Sequence, residues 1–165
     1  VRSGTLPLPL IMGLKTAVSH AVARTERTQQ HLQGLCRHLI EGLKNLQERI
    51  SKLRIRFNSL IDEDIIRQSP GMVNFSFPPV EGEVILHHLE AKGIYVGLGS
   101  ACSAQSKEPS RILMGIGLSE EEARCSLRIS FSRHNTIEEI DLFLEAFAEA
   151  YQALYFTFLQ KAEHR

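Results

Sequence analysis

The sequence lacks the features that mark several classes of protein. It has no tryptophan, and its only cysteines are Cys36, Cys102 and Cys125, an odd number that includes no closely spaced pair. Such a set argues against a disulfide framework and against a zinc site, so we predict no metal centre. A reducing compartment fits this cysteine usage best, and we expect the cytoplasm.

Charge of one sign and long apolar runs are also missing. Lys and Arg total 19, Asp and Glu total 19, and the formal net charge is zero. This balance gives no bulk attraction to nucleic acid or to an anionic membrane, and no apolar run approaches the ~20 residues of a membrane span. The start at Val1 shows neither an initiator Met nor a signal sequence, so we expect the chain to begin within a longer protein.

What is present is enough apolar sequence for a core, arranged in helical and strand periodicities. The chain has 165 residues, 43% of them hydrophobic. Leucines at three- and four-residue steps predict one long helix over residues 8–50, and a second helix is predicted over 82–91, ending at Gly93. Thr136 followed by Glu139 is a capping box, which predicts a helix from there to the C-terminus.

Alternation of apolar and polar residues predicts the strands. The pattern occurs over residues 53–57, 73–77 and 127–131, and a short strand over 94–96 is expected to run directly into Gly97. Pro109 suits the first turn of a short helix that ends near Gly115 or Gly117. The order predicts an α+β fold in which helices pack on one face of a small, mostly antiparallel sheet, preceded by a long linking helix.

Cys102 is the first candidate for chemistry. Residues 97–108 are rich in Gly, Ser and Ala, so we expect a mobile loop on which a thiol could collect a group and deliver it elsewhere. The competing interpretation is a small buried hydrophobe, the commonest role of a single free cysteine. Cys36, within the long helix, and Cys125, next to a strand, are predicted to be structural.

Several segments together resemble a known family. They are Val80-Glu81-Gly82-Glu83, Gly99-Ser100-Ala101-Cys102, Glu108-Pro109-Ser110, Gly117-Leu118-Ser119, Ser126-Leu127-Arg128-Ile129-Ser130 and Glu138-Glu139-Ile140-Asp141. Their order and approximate spacing resemble the iron-sulfur-assembly cysteine desulfurases of the class V aminotransferase group. The opening Arg2-Ser3-Gly4-Thr5 resembles the segment that follows the cofactor lysine in that family.

The resemblance implies a fold, a cofactor and a set of site residues. The chain would be the C-terminal portion of a fold-type I pyridoxal-phosphate enzyme, with residues 1–50 forming the segment after the cofactor lysine plus the interdomain helix, and residues 51–165 the small domain. Cys102 would attack the sulfur of L-cysteine, leaving a persulfide and L-alanine. Arg128 would pair with the substrate carboxylate. Gly4 and Thr5 would reach the cofactor phosphate of the other subunit.

The resemblance also implies partners and limits. The partners would be an identical subunit and a sulfur acceptor, such as an iron-sulfur scaffold or a tRNA sulfurtransferase, with no direct contact to nucleic acid or membrane. The cofactor lysine of the family lies upstream of Gly4, so we expect the chain alone to produce no sulfide from pyridoxal phosphate and cysteine. Gly97-Leu98 departs from the small hydroxylated pair usual in relatives. A truncated paralogue acting as a sulfur relay or binding module, and a selenocysteine lyase or other class V aminotransferase, remain open.

Overall fold

The computed structural model of the chain describes residue 4 and residues 6–59, 71–99 and 109–163. Within them, helices and strands follow one another in the order that the sequence predicts. The elements are α1 Leu8–Arg49, β1 Arg56–Phe57, β2 Met72–Ser76, α2 Gly82–Ala91, β3 Gly97–Leu98, α3 Arg111–Gly115, α4 Glu120–Arg124, β4 Ser126–Ser130 and α5 Ile137–Glu163.

The four strands form one antiparallel sheet in the order β1-β2-β4-β3. The central strand β4 therefore has β2 on one side and the short edge strand β3 on the other. In this register Arg128 lies opposite Asn74 of β2 and opposite Gly97 of β3. Since directly opposite residues point to the same side of a sheet, these three positions share one face.

The other face of the sheet carries the core. Phe75 and Leu127 are paired across β2 and β4 and are fully buried. The ring of Phe147 on α5 meets those of Phe75 and Phe77 edge-on, with centroids 5.6 and 5.1 Å apart. Burying one such side chain contributes roughly 1.5–3 kcal/mol, so this aromatic cluster is a large part of what holds α5 on the sheet. The prediction of helices packed on one face is confirmed.

The two halves of α1 have different surroundings. Its C-terminal half is packed in the core through Leu35, Cys36, Leu39, Ile40, Leu43 and Leu46. Its N-terminal half and the segment just before it leave a row of apolar side chains exposed, namely Leu6, Leu8, Leu10, Ile11, Met12, Leu14, Val18 and Val22. Among the described residues, no helix has the length and apolar character needed to cross a membrane. The division into residues 1–50 and 51–165 stays a prediction.

Helix ends follow the predicted signals. α2 ends at Ala91, and Gly93 has a φ of +77°, a backbone conformation that glycine adopts without steric cost. Thr136 and Glu139 make the reciprocal hydrogen bonds of a capping box, Glu139 N to Thr136 Oγ1 at 3.4 Å and Thr136 N to Glu139 Oε2 at 3.1 Å. Both local predictions are confirmed, and the second one sets where α5 begins.

Three local predictions are wrong in their bounds. The strand predicted over residues 53–57 is only Arg56–Phe57, because the Leu53 N–H donates to Ile50 O and the Ile55 N–H to Gln47 Oε1. Residues 94–96 are not a strand, and β3 begins at Gly97. The cause there is that the Ile94 N–H closes the end of α2 on Leu89 O.

The third correction concerns Pro109. It precedes α3 rather than lying in its first turn, since Ser110 is the N-cap and its hydroxyl accepts from the Leu113 N–H. A serine hydroxyl at this position satisfies a backbone donor that proline cannot. The helix was predicted to end near Gly115 or Gly117, and it ends at Gly115.

Candidate functional site

The candidate site is the face of the sheet that points away from the core. Leu127 and Ile129 point to the core, so the residues between and beside them, Ser126, Arg128 and Ser130, point the other way. Arg128 is half-buried at the middle of β4. The prediction that Arg128 faces opposite to its two apolar neighbours is thus confirmed.

Gly97 provides the space that the Arg128 side chain occupies. A Cβ atom built on Gly97 would lie 3.0 Å from Nη2 and 3.3 Å from Nε of Arg128. The guanidinium therefore lies directly over the backbone of β3. Any residue larger than glycine at position 97 requires Arg128 to move.

The Arg128 guanidinium has no hydrogen-bond or ion-pair partner among the residues that the structure describes. An arginine keeps its positive charge at any pH a protein experiences, and its five N–H donors match a carboxylate in bidentate geometry. A half-buried cation left without a protein anion is well suited to an anionic ligand. The geometry thus supports a carboxylate-binding role for Arg128, which stays a prediction.

Three polar residues lie beside Arg128 on the same face and were missed by the sequence argument. Asn58 Nδ2 donates to Asn74 Oδ1 at 2.7 Å and to Ser76 Oγ at 2.8 Å. Asn74 is only 8% exposed and Ser76 is fully buried. The sequence carries one signal for this group. Asn74 stands between Val73 and Phe75 in the middle of a strand, where asparagine is uncommon.

The chain leaves the sheet beside Arg128 and leads toward Cys102. Gly97 pairs with Arg128, and a Cβ on Gly99 would lie 2.7 Å from Leu113 Cδ1 of α3 and 3.1 Å from Ser126 Oγ. Glycine at position 99 thus lets the chain pass close to α3 and to the start of β4. Cys102 itself, and residues 100–108 of the predicted loop, lie outside the described residues.

Of the two predicted phosphate-binding residues, Gly4 is among the described residues. Gly4 is exposed, with no atom within 4 Å of where a Cβ would lie. Thr5 lies outside the described residues. About 36 Å of helix, at 1.5 Å per residue, separates the start of α1 at Leu8 from Leu32, whose side chain lies against the Gly71 position. The structure does not bring Gly4 and Arg128 together in one chain.

The two described cysteines are both buried. Burial raises the pKa of the Cys36 thiol. Burial, together with the carboxylates of Glu121 and Glu81, raises the pKa of the Cys125 thiol to about 12. Because the thiolate is the nucleophilic form, neither residue is suited to attack at neutral pH, in agreement with their predicted structural role.

Comparison with known proteins identifies relatives over nearly the whole chain. The sequence model of the family "Aminotransferase class-V" matches residues 1–143. A cysteine desulfurase IscS of Vibrio vulnificus is 37% identical over 153 residues, which cover 93% of this chain and 35% of the relative. One from Methanosarcina thermophila is 38% identical over 153 residues, with the same two coverages. The chain thus spans about a third of the length of these curated relatives.

Solved structures agree with the sequence comparison. A NifS-like protein superposes with a TM-score of 0.69 at 27% identity, over 92% of this chain and 35% of that one. A NifS-like protein from Rickettsia africae superposes with a TM-score of 0.63 at 25% identity, over 92% and 37%. The long first helix and the antiparallel sheet are therefore the C-terminal part of a fold-type I pyridoxal-phosphate enzyme, and the chain belongs to the class V aminotransferase family.

Proposed function

We propose that this chain is the C-terminal part of a cysteine desulfurase, which moves sulfur from L-cysteine to Cys102 and leaves L-alanine. The observation that carries the proposal is the half-buried guanidinium of Arg128, which lies against Gly97 and has no partner among the described residues. The 37% identity to a cysteine desulfurase IscS supports the same reaction class. Arg128 pairs in the sheet with Gly97, on the segment that leads to Cys102. The proposal requires this proximity, because the bound substrate must lie near the residue that takes its sulfur.

Arg128 holds the substrate in this proposal. Its planar guanidinium donates two N–H bonds to the cysteine carboxylate, and its position on the central strand β4 fixes where the substrate sulfur lies. Cys102, on the segment that leaves β3, then brings its thiolate to that sulfur. A new S–S bond forms on Cys102 as the Cβ–S bond of the substrate breaks, and Cβ keeps the electron pair and takes up a proton to give alanine.

Pyridoxal phosphate supplies an electron sink for this bond cleavage when it is bound. The described residues fit the periphery of its site: Gly4 is exposed, and Arg128 offers the substrate a cation that has no partner among the described residues. Gly4 and Thr5 would hold the phosphate belonging to a second, identical subunit. The cytoplasm is the proposed location, and an iron-sulfur scaffold protein or a tRNA sulfurtransferase is the proposed sulfur acceptor.

Mapping the persulfide tests the proposal. The whole reading frame that encodes this chain is expressed, treated with L-cysteine, and digested for mass spectrometry. We expect a persulfide on the Cys102 peptide that disappears in Cys102→Ser and persists in Cys36→Ser and Cys125→Ser. A persulfide that survives the Cys102→Ser change contradicts the assignment of the nucleophile.

Two further results separate the alternatives. If the full reading frame carries no lysine-bearing large domain and yields no sulfide from cysteine, the chain is a truncated paralogue that relays sulfur. If the full protein releases selenide from selenocysteine but no sulfide from cysteine, it is a selenocysteine lyase. Sulfide release from cysteine, with loss of that release in Cys102→Ser, is the result that the proposal predicts.

A further inference from the structure

Gly97 lies directly against the charged end of the Arg128 side chain. The two residues are paired across β3 and β4, so they share one face of the sheet. A Cβ atom at position 97 would lie 3.0 Å from Nη2, 3.3 Å from Nε and 3.4 Å from Cζ of Arg128. All three atoms belong to the guanidinium rather than to the aliphatic stem. A side chain at position 97 would therefore act on the group that binds the anion.

The distances also identify which part of the guanidinium faces Gly97. A guanidinium has two edges that can hold a carboxylate in bidentate fashion, a side edge formed by Nε and Nη2 and an end formed by Nη1 and Nη2. The two atoms nearest to the Cβ position are Nη2 and Nε, and Nη1 is farther away than all three of the nearest atoms. The missing Cβ thus leaves the side edge of Arg128 open toward β3.

The backbone gives no other reason for a glycine at position 97. The described glycines with a positive φ are Gly4, Gly93 and Gly117, so Gly97 has a conformation that any residue can adopt. No backbone atom is among the three atoms nearest to its Cβ position, in contrast to Gly82, whose Cβ would meet the Ser126 backbone oxygen. Glycine weakens a strand, and in strands it often marks a place where a ligand approaches closely.

We infer that Gly97 is a positioning residue of the carboxylate site, which keeps the Nε and Nη2 edge of Arg128 open so that the ligand carboxylate binds this edge side-on. The inference rests on the proposed function and specifies the geometry of its site. Binding through the end of the guanidinium, by Nη1 and Nη2, would not need a glycine here. Side-on binding places the carboxylate on the β3 side of Arg128, beside the strand that leads to Cys102.

The side edge selects for a group with two acceptor oxygens. Nε and Nη2 each present one N–H in parallel, and a carboxylate accepts both. A carboxamide has one acceptor oxygen, and its own N–H donors would face a second donor of the arginine. Alaninamide is therefore the matched control ligand for L-alanine, the proposed product, which binds without reacting.

The test is a titration of the 165-residue chain with L-alanine, in which calorimetry measures the Kd and ¹⁵N NMR records the Arg128 Nε–H signal. That signal is assigned by its loss in Arg128→Gln. We expect it to move with L-alanine and not with alaninamide, because side-on binding uses the Nε–H.

Substitution of glycine by alanine at two positions gives the matched comparison. Gly97→Ala is expected to raise the Kd for L-alanine about tenfold, as for the loss of one hydrogen bond to a charged group. At the concentration that saturates the wild type, its Nε–H signal should stay near the unbound position. Gly34→Ala, on α1 with no atom listed against its Cβ within 4 Å, should leave both the Kd and the signal unchanged.

Two other results overturn the inference, and they differ in what else they overturn. If L-alanine binding is lost in Arg128→Gln, but the wild-type Nε–H signal does not move or Gly97→Ala binds as tightly as the wild type, side-on binding over Gly97 is wrong and the role of Arg128 stands. If L-alanine does not bind, or binds equally to Arg128→Gln, the carboxylate site of the proposed function is wrong and the inference fails with it. The wild-type Nε–H signal decides the matter even if Gly97→Ala fails to fold.

Discussion

The two faces of the sheet are built from alternate residues of the same strands, yet they have opposite chemistry. On one face Phe75 and Leu127 are packed under α5 in a core made almost entirely of apolar side chains. On the other face the neighbouring residues Asn74 and Arg128 are largely or partly buried, and both have donors without acceptors among the described residues.

The difference supports the proposal that the apolar face holds the chain together and the polar face binds the ligand. A sheet face buried for stability is filled with apolar groups or with polar groups that satisfy each other. The polar face meets this condition only in part, since Asn58, Asn74 and Ser76 are hydrogen-bonded to one another but Arg128 has no partner among the described residues, which suits an anion. Substitutions should therefore lower stability on the apolar face and ligand binding on the polar face.

The largest expected effect comes from the aromatic cluster on the apolar face. Phe147 is fully buried and makes edge contacts with Phe75 and Phe77. We expect Phe147→Ala to lower the free energy of unfolding by about 3–5 kcal/mol in urea denaturation, through lost burial and the cavity left behind. Ser130→Ala, on the polar face, should change it by less than about 0.5 kcal/mol. Equal losses in the two variants would show that the faces share the stabilising role.

A smaller effect is expected from two glycines that both lie close to β4. A Cβ on Gly82 would lie 2.4 Å from the backbone oxygen of Ser126, which cannot move without shifting the strand. We expect Gly82→Ala to cost about 2–3 kcal/mol. A Cβ on Gly97 meets only the end of the flexible Arg128 side chain, so Gly97→Ala should cost less than about 1 kcal/mol and weaken L-alanine binding instead. Denaturation and ligand titration of both variants measure the two effects, and unaltered binding in Gly97→Ala would contradict the position given to Arg128.

The smallest expected effect is on the pH dependence of the apolar side. Burial, with Tyr155 and Cys125 nearby, raises the pKa of Tyr151 from its ordinary 10.0 to about 12, and its hydroxyl donates to Lys52 O at 3.2 Å. Because the folded chain holds the proton more tightly, this contribution to stability is complete below pH 10 and is lost as the pH rises through about 12. The slope is at most about 1.4 kcal/mol per pH unit.

Tyr151→Phe provides the control for that slope. Urea denaturation at pH 9 and pH 11 should show a smaller loss of stability in the variant than in the wild type. A slope that is identical in the two proteins would mean that Tyr151 titrates at its ordinary pKa and that this part of the apolar side admits water.

Periodicity and capping signals predicted most of the fold, since they reflect local rules. The leucine spacing marks the buried half of α1, the Thr136–Glu139 pair marks the start of α5, and the alternation around Leu127 marks β4. The errors near Leu53 and Ile94 have another origin. There the backbone N–H groups donate to carbonyl oxygens at the ends of helices and to a glutamine side chain. They are therefore not available for pairing with another strand, although the apolar residues alternate.

The candidate site could be predicted only in part, for a reason of register. Arg128 was found from its motif, but Asn74 lies 54 positions earlier and Gly97 31 positions earlier, and only strand pairing brings them to one place. No local pattern encodes which residue of β2 opposes which residue of β4.

The most direct test of the account is a crystal structure of this chain grown in L-alanine. The account predicts the alanine carboxylate on the polar face of the sheet, paired with the Arg128 guanidinium above Gly97. A structure in which L-alanine is absent from this face at saturating concentration, with Arg128 paired to a side chain of its own protein, would contradict it.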